Sequence, residues 1–212
     1  MRGACAVACL ALLLAACANP INDASWSRYT REGNAAHAQG NLTIAEQSYG
    51  RAVSDARIGH LGPEREAVAL HNLGLVKRDL CKLDEAREAL SNAYELRDKN
   101  PDTPPLLLSG TAFELAQLHY EQRRYAEAVA LMERGLPIVE KAGVEQGAEA
   151  IYAQVLVQYA DALRHVNRSA DAQAVQKRVT SLASARGLDL QRKPSSAPLP
   201  LAARARFARR MS

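Results

Sequence analysis

The apolar positions of this chain fall at helical spacing and then recur as blocks. Leu83, Ala86, Leu90 and Ala93 are separated by three, four and three residues, which places them on one face of a helix, and Leu70, Leu73 and Gly74 precede them on a helix of their own. The block returns 41 residues earlier as Gly33, Leu42, Ala45, Tyr49 and Ala52, and 42 residues later as Ala116, Tyr125, Ala128 and Met132. A further step of 44 residues reaches Ala160, Leu163 and Ala172, but Gln176 and Val179 stand where the block has a large apolar residue and a small one. The last unit is degenerate. No stretch alternates with the two-residue period of a strand, so the pattern predicts an all-α chain of about four antiparallel helix pairs over residues 26–186. Gly62-Pro63 and Thr103-Pro104 mark helix starts, and Asn100-Pro101 and Gly143 mark helix ends.

Small residues at fixed intervals have a packing reason. Gly33, Gly74, Ala116 and Ala160 lie where the two helices of a pair cross, and Ala45, Ala86, Ala128 and Ala172 meet them from the partner helix. One hairpin cannot bury such a face, so neighbouring pairs must stack. These residues at this spacing resemble the tetratricopeptide repeat, and the period of 41 to 44, with Leu61-Gly62-Pro63-Glu64 ahead of the second unit, resembles the longer units of kinesin light chains. The resemblance implies a right-handed superhelical solenoid whose concave face binds other proteins. By its phase, the groove is lined by Asn34, His37, His71, Arg78, Phe113, Gln117, Tyr120, Asp161 and Arg164, with Thr30, Leu75 and Val157 between them. Phe113 and Tyr120 are the expected aromatic anchors. Some relatives hold a peptide carboxylate with two asparagines and several cations. Asn34 and Asn72 match the asparagines, but Thr30, Gly110 and Glu114 stand where cations are required, so that mode is rejected.

The first residues decide location. After Met1-Arg2-Gly3 an apolar run extends to Ala16 and ends in Leu14-Ala15-Ala16-Cys17, the form of an export signal too short to span a bilayer permanently. Leu-Ala-Ala-Cys resembles the bacterial lipobox. This implies a signal peptide over residues 1–16 and a lipidated Cys17 opening a tether over 17–25. Asn19-Pro20 and Asn22-Asp23 suit turns in that tether. Ala18, where aspartate would resemble an inner-membrane retention signal, favours the outer membrane by analogy. With Cys5 and Cys9 removed and Cys17 acylated, Cys81 remains without an intramolecular disulfide partner, and it is expected as a buried, inert residue in an inter-helix turn.

Charge divides the chain further. The net charge of +4 conceals a body that is slightly acidic and a tail from residue 187 that carries Arg192, Lys193, Arg204, Arg206, Arg209 and Arg210 against Asp189 alone. Residues 187–212 begin with a Pro/Ser-rich linker and read as a disordered basic end. Their functional alternative is attraction to anionic lipid or glycan, and export argues against nucleic acid.

Chemistry beyond binding has no motif. The histidines at 37, 60, 71, 119 and 165 are scattered, His119 falls on a packing position, and there is no His-Glu-x-x-His, Cys-x-x-Cys or phosphate-binding glycine loop. No metal, cofactor or catalytic residue is expected. The sequence reading is a membrane-anchored scaffold that binds a protein or peptide in the bacterial cell envelope, in the assembly or maintenance of an envelope complex. Alternatives are a lipid- or polymer-binding protein acting through its tail, and an unrecognised envelope enzyme.

Overall fold

The computed structural model describes residues 2–143 and 148–187, with side chains from residue 20 onward. The basic tail expected over 187–212 therefore lies outside the described residues apart from Gly187, as does the side chain of Cys17. Eight helices and no strand occur among the described residues. The chain divides after Thr103 into two compact units. The first holds α1 (Arg2–Ala38), α2 (Leu42–Ile58), α3 (Pro63–Asp79) and α4 (Leu83–Lys99). The second holds α5 (Pro105–Glu121), α6 (Tyr125–Ala142), α7 (Glu149–His165) and α8 (Ser169–Arg186). In each unit consecutive helices pack antiparallel, giving two hairpins per unit and the four helix pairs that the periodicity predicted.

Every hairpin turn has the same backbone construction. Gly40, Cys81, Arg123 and Asn167 occupy equivalent positions and all have left-handed φ, at 76°, 59°, 59° and 62°. The following amide in each case reaches the carbonyl five residues back: Asn41 to Ala36 at 2.9 Å, Lys82 to Lys77 at 2.9 Å, Arg124 to His119 at 2.8 Å and Arg168 to Leu163 at 2.9 Å. These are Schellman closures, which satisfy carbonyls left open at a helix end. The position favours glycine, and only the first unit has one. Cys81 is exposed there, which corrects the expectation that it is buried. The closure places it at the tip of the α3–α4 hairpin, outside the packed face.

The helices are joined as the small residues require. Ala45, Ala86 and Ala128 are fully buried and Ala172 is nearly so. A Cβ on Gly33 would lie 2.7 Å from Cε1 of Tyr49, and one on Gly74 would lie 2.7 Å from Cγ of Leu90, so both glycines permit an approach that alanine would prevent. The first unit's core centres on Leu70, Val53, Tyr49 and Val76, with Trp26, Tyr29 and Leu73 against it. The second centres on Met132, Leu136, Leu156, Leu163 and Val179, with Phe113 and Tyr125 against it. Val179 is fully buried, so the degenerate last unit fills its small position with a larger aliphatic group.

The stretch after Cys17 differs from its expected form. α1 continues through Pro20, Asn22 and Asp23 without the turns those residues suggest. Ser25 Oγ donates to the carbonyls of Ile21 and Asn22 within the helix, and tertiary contacts hold it from α3: Asp23 pairs with Arg65, and Trp26 Nε1 donates to the Arg65 carbonyl at 3.2 Å. Residues 20–25 are part of the folded unit. No helix among the described residues is long and apolar enough to cross a membrane.

Candidate functional site

The groove residues named from the repeat phase separate into two sets, one per unit. In the first unit, Asn34 is exposed and its Oδ1 accepts from the Tyr49 hydroxyl at 2.6 Å, while His71 is half-buried. His37 and Arg78 are 8% and 7% exposed. His37 Nε2 lies 2.7 Å from Oδ2 of Asp79, a bond that ties the end of α1 to the end of α3. Asp79 was not anticipated, although it directly follows Arg78. Two of the four positions thus serve packing inside the unit before any partner arrives.

The second unit gathers its set more closely. Tyr120, at the end of α5, donates its hydroxyl to Oδ2 of Asp161 on α7 at 2.5 Å. Asp161 also faces Arg164 Nη1 and His165 Nε2, each at 3.5 Å, from the next turn of its own helix. Tyr125, the first residue of α6, meets Tyr120 edge to face with ring centroids 5.5 Å apart. The His165 ring stacks on Tyr125 at 4.0 Å with an interplanar angle of 6°. Gln117 donates to Glu121 one turn on, and Arg164 Nη2 reaches Oε1 of Gln176 on α8. Phe113 is half-buried, with its ring against Gly135, where a Cβ would fall 2.6 Å from Cε1. It belongs to the packing of α5 on α6. Tyr125 and His165 were missed, yet His165 follows Asp161 at the four-residue interval that shares a helix face.

The electrostatics make this cluster a fixed one. Burial, then the hydrogen bond to Asp161 and its charge, pushes the Tyr120 phenol up to about 12, so it stays a protonated donor throughout the neutral range. Tyr152 on α7 is likewise pushed up to about 12, by burial first and then by its bond to Glu140. Arg164 and His165 are exposed above these partners, and their N–H groups sit beside a flat stacked ring. Such a surface suits polar and aromatic side chains or backbone amides of a partner. Among the described residues, no group of three His, Cys, Asp or Glu side chains is placed to hold a metal ion.

Stacked helix hairpins with repeated small residues at the crossings, closed by identical turns and carrying polar and aromatic side chains on the first helix of each pair, define a helical-repeat binding scaffold. Residues 65–141 match the family described as Tetratricopeptide repeat. Two crystal structures share the fold. BtubC (BKLC) from P. vanneervenii superposes with a TM-score of 0.69 at 19% identity, covering 84% of this chain and 70% of that one. A Podosopora anserina putative kinesin light chain with nearly identical TPR-like repeats superposes with a TM-score of 0.58 at 19% identity, covering 76% of each chain. No curated protein sequence matches the chain. The long repeat read from the 41- to 44-residue period is thus the repeat that the fold displays. Tetratricopeptide repeats are protein-interaction scaffolds, and this type of fold is typically non-enzymatic.

Proposed function

We propose that the chain is a lipid-anchored adaptor of the bacterial cell envelope, held to the outer membrane through Cys17 and facing the periplasm, where it binds a partner protein during assembly or maintenance of an envelope complex. The observation that carries the binding role is the cluster of Tyr120, Tyr125, Asp161 and His165, which is preorganised before a ligand arrives. Ordering costs weigh less when the binding side chains are already held. The location rests on Leu14-Ala15-Ala16-Cys17 behind an apolar segment of signal-peptide length.

The binding half is tested by crosslinking capture from native membranes with the full chain and with His165→Ala and Arg164→Ala, both exposed positions whose loss leaves helicity unchanged. Loss of the captured protein in both variants is expected. Equal capture by wild type and variants overturns the site. Arg78 is a poor probe because it is buried, and its reversal tests folding first. For location, Cys17→Ser releases the chain from membranes; continued fractionation with the outer membrane overturns the anchor.

A second reading is favoured by the six basic residues after Gly187, which suit anionic lipid or glycan. Deleting residues 188–212 then removes salt-sensitive binding to anionic vesicles, and undiminished binding by the truncated chain overturns it.

A further inference from the structure

The exposed large hydrophobic side chains among the described residues all belong to the first hairpin: Ile21 at 68%, Ile58 at 69% and Ile44 at 48%. Two of them share one tip. α1 enters and α2 leaves at the same end, where Asn22 packs so closely on Gly59 that a Cβ there would fall 2.5 Å from Cβ of Asn22. Ile21 and Ile58 therefore flank one contact. On α1 the helical period carries the face of Ile21 to Arg28, seven residues on. On α2 it carries the face of Ile58 to Ser54 and Arg51, seven residues back. The two arginines meet again on a shared ring, since the guanidinium of Arg28 lies 4.6 Å and that of Arg51 5.4 Å from the centroid of Tyr29.

This arrangement has a level structure. An apolar pair occupies the tip, and a cationic pair sits about 10 Å higher, at about 1.5 Å per helical residue. Both arginines are exposed and have no carboxylate partner among the described residues. Of the other charges at this end, Arg57 pairs with Glu66 and Arg65 with Asp23, while Asp55 is half-buried, with its Oδ2 covered rather than turned to the surface. A guanidinium lying over a ring keeps its N–H edge open, and two of them together suit phosphate oxygens. Ile44 lies at the opposite end of the hairpin, and Glu32 stands one turn beyond Arg28, farther from the tip than the arginines.

We propose that this tip is a membrane-docking surface, with Ile21 and Ile58 entering the headgroup boundary and Arg28 and Arg51 on phospholipid phosphates. The inference rests on the lipid-anchor reading and deepens it, because Ile21 lies four residues beyond Cys17 on the same helix, about 6 Å along the axis. Apolar side chains below a cationic belt are what an interfacial anchor requires, and a lipid chain gains stable attachment from such a second contact. A second copy of the chain fits the face poorly. Two-fold pairing would set the unpaired arginines of one copy against those of the other.

The test uses the lipidated full chain in vesicles of phosphatidylethanolamine and phosphatidylglycerol, with a nitroxide at position 54 or, as control, at position 88, each in a Cys81→Ala background. Ser54 lies on the strip between Ile58 and Arg51, and Glu88 is an exposed residue of α4. The nitroxide at 54 is expected to be at least threefold more accessible to lipid-dissolved oxygen than to an aqueous nickel chelate, and the nitroxide at 88 to show the reverse. The quadruple variant Ile21→Ser, Ile58→Ser, Arg28→Gln, Arg51→Gln, with helicity intact, moves position 54 to the aqueous phase while the chain stays with the vesicles. An aqueous probe at 54 in the otherwise unchanged chain, with membrane association retained, overturns the docking surface and leaves the anchor standing. Failure of the chain to associate at all overturns the anchor and the docking surface together. Spin–spin broadening from paired probes at 54 also overturns the proposal, since the tip is then a contact between copies.

Discussion

The ring of Tyr49 lies across the backbone of Gly33, so close that a Cβ at residue 33 would be 2.7 Å from Cε1 and 2.9 Å from Cζ. The equivalent pairs along the chain are Gly74 with Leu90, Ala116 with Met132 and Ala160 with Gln176, which shows a large partner where glycine stands and a more adaptable one where alanine does. The crossing is set by the pair.

Gly33→Ala is accordingly expected to destabilise the first unit by about 1–3 kcal/mol, the usual cost of overpacking. Gly33→Ala combined with Tyr49→Met copies the pair found in the third repeat, and it should cost less than the sum of the single substitutions. Chemical denaturation of the four chains measures the coupling directly. Additive losses would mean that the ring moves aside without cost.

The left-handed turns lead to the opposite sign. Cys81 and Arg123 hold positive φ without glycine's freedom, so Cys81→Gly and Arg123→Gly should each raise stability by about 0.5–1 kcal/mol, after the greater chain entropy of glycine is allowed for. Asn167→Gly should change less, because asparagine tolerates this conformation better. Thermal unfolding of the three variants orders them.

Phe113, expected as a groove anchor, is half-buried, with its ring against Gly135 and the core of the second unit. Phe113→Ala should therefore lower stability by about 2–4 kcal/mol, as large-to-small changes in packed sites do. At a temperature where the variant remains folded, partner capture should be unaffected. A selective loss of capture with unchanged unfolding would return Phe113 to the binding surface.

Alkaline pH offers a readout of the Tyr120–Asp161 bond. The Tyr120 phenol is neutral up to about 12 in the folded chain, against an ordinary value near 10. Its raised folded value means that the stabilisation is complete below pH about 10 and is lost as pH rises from about 10 to 12, because the unfolded chain releases its proton first. Phenolate absorbance should show a late-titrating class that includes Tyr120 and Tyr152. Asp161→Asn should bring the titration of Tyr120 down, and an unchanged curve would remove the carboxylate as a cause.

The helix pairs, their period and their crossings were readable before any coordinates because small and apolar residues at these intervals have one economical use, close packing of antiparallel helices. Gly33, Gly74 and the four buried alanines are explained by local spacing alone. Binding residues lack that advantage. The repeat phase named His37, Arg78, Phe113, Tyr120, Asp161 and Arg164 in the same way, although His37 and Arg78 are buried while the other four are half-buried or exposed. A phase says which side of a helix a residue takes, and only the neighbouring helix establishes whether that side is covered. The same reason applies to Asn22-Asp23, whose turn preference yields to contacts with Arg65 and Gly59, and to Tyr125 and His165, which become a stacked pair because α6 and α7 bring their ends together. Short-range chemistry along the chain sets the repeat, while long-range packing selects which of its polar and aromatic side chains remain free to meet a partner.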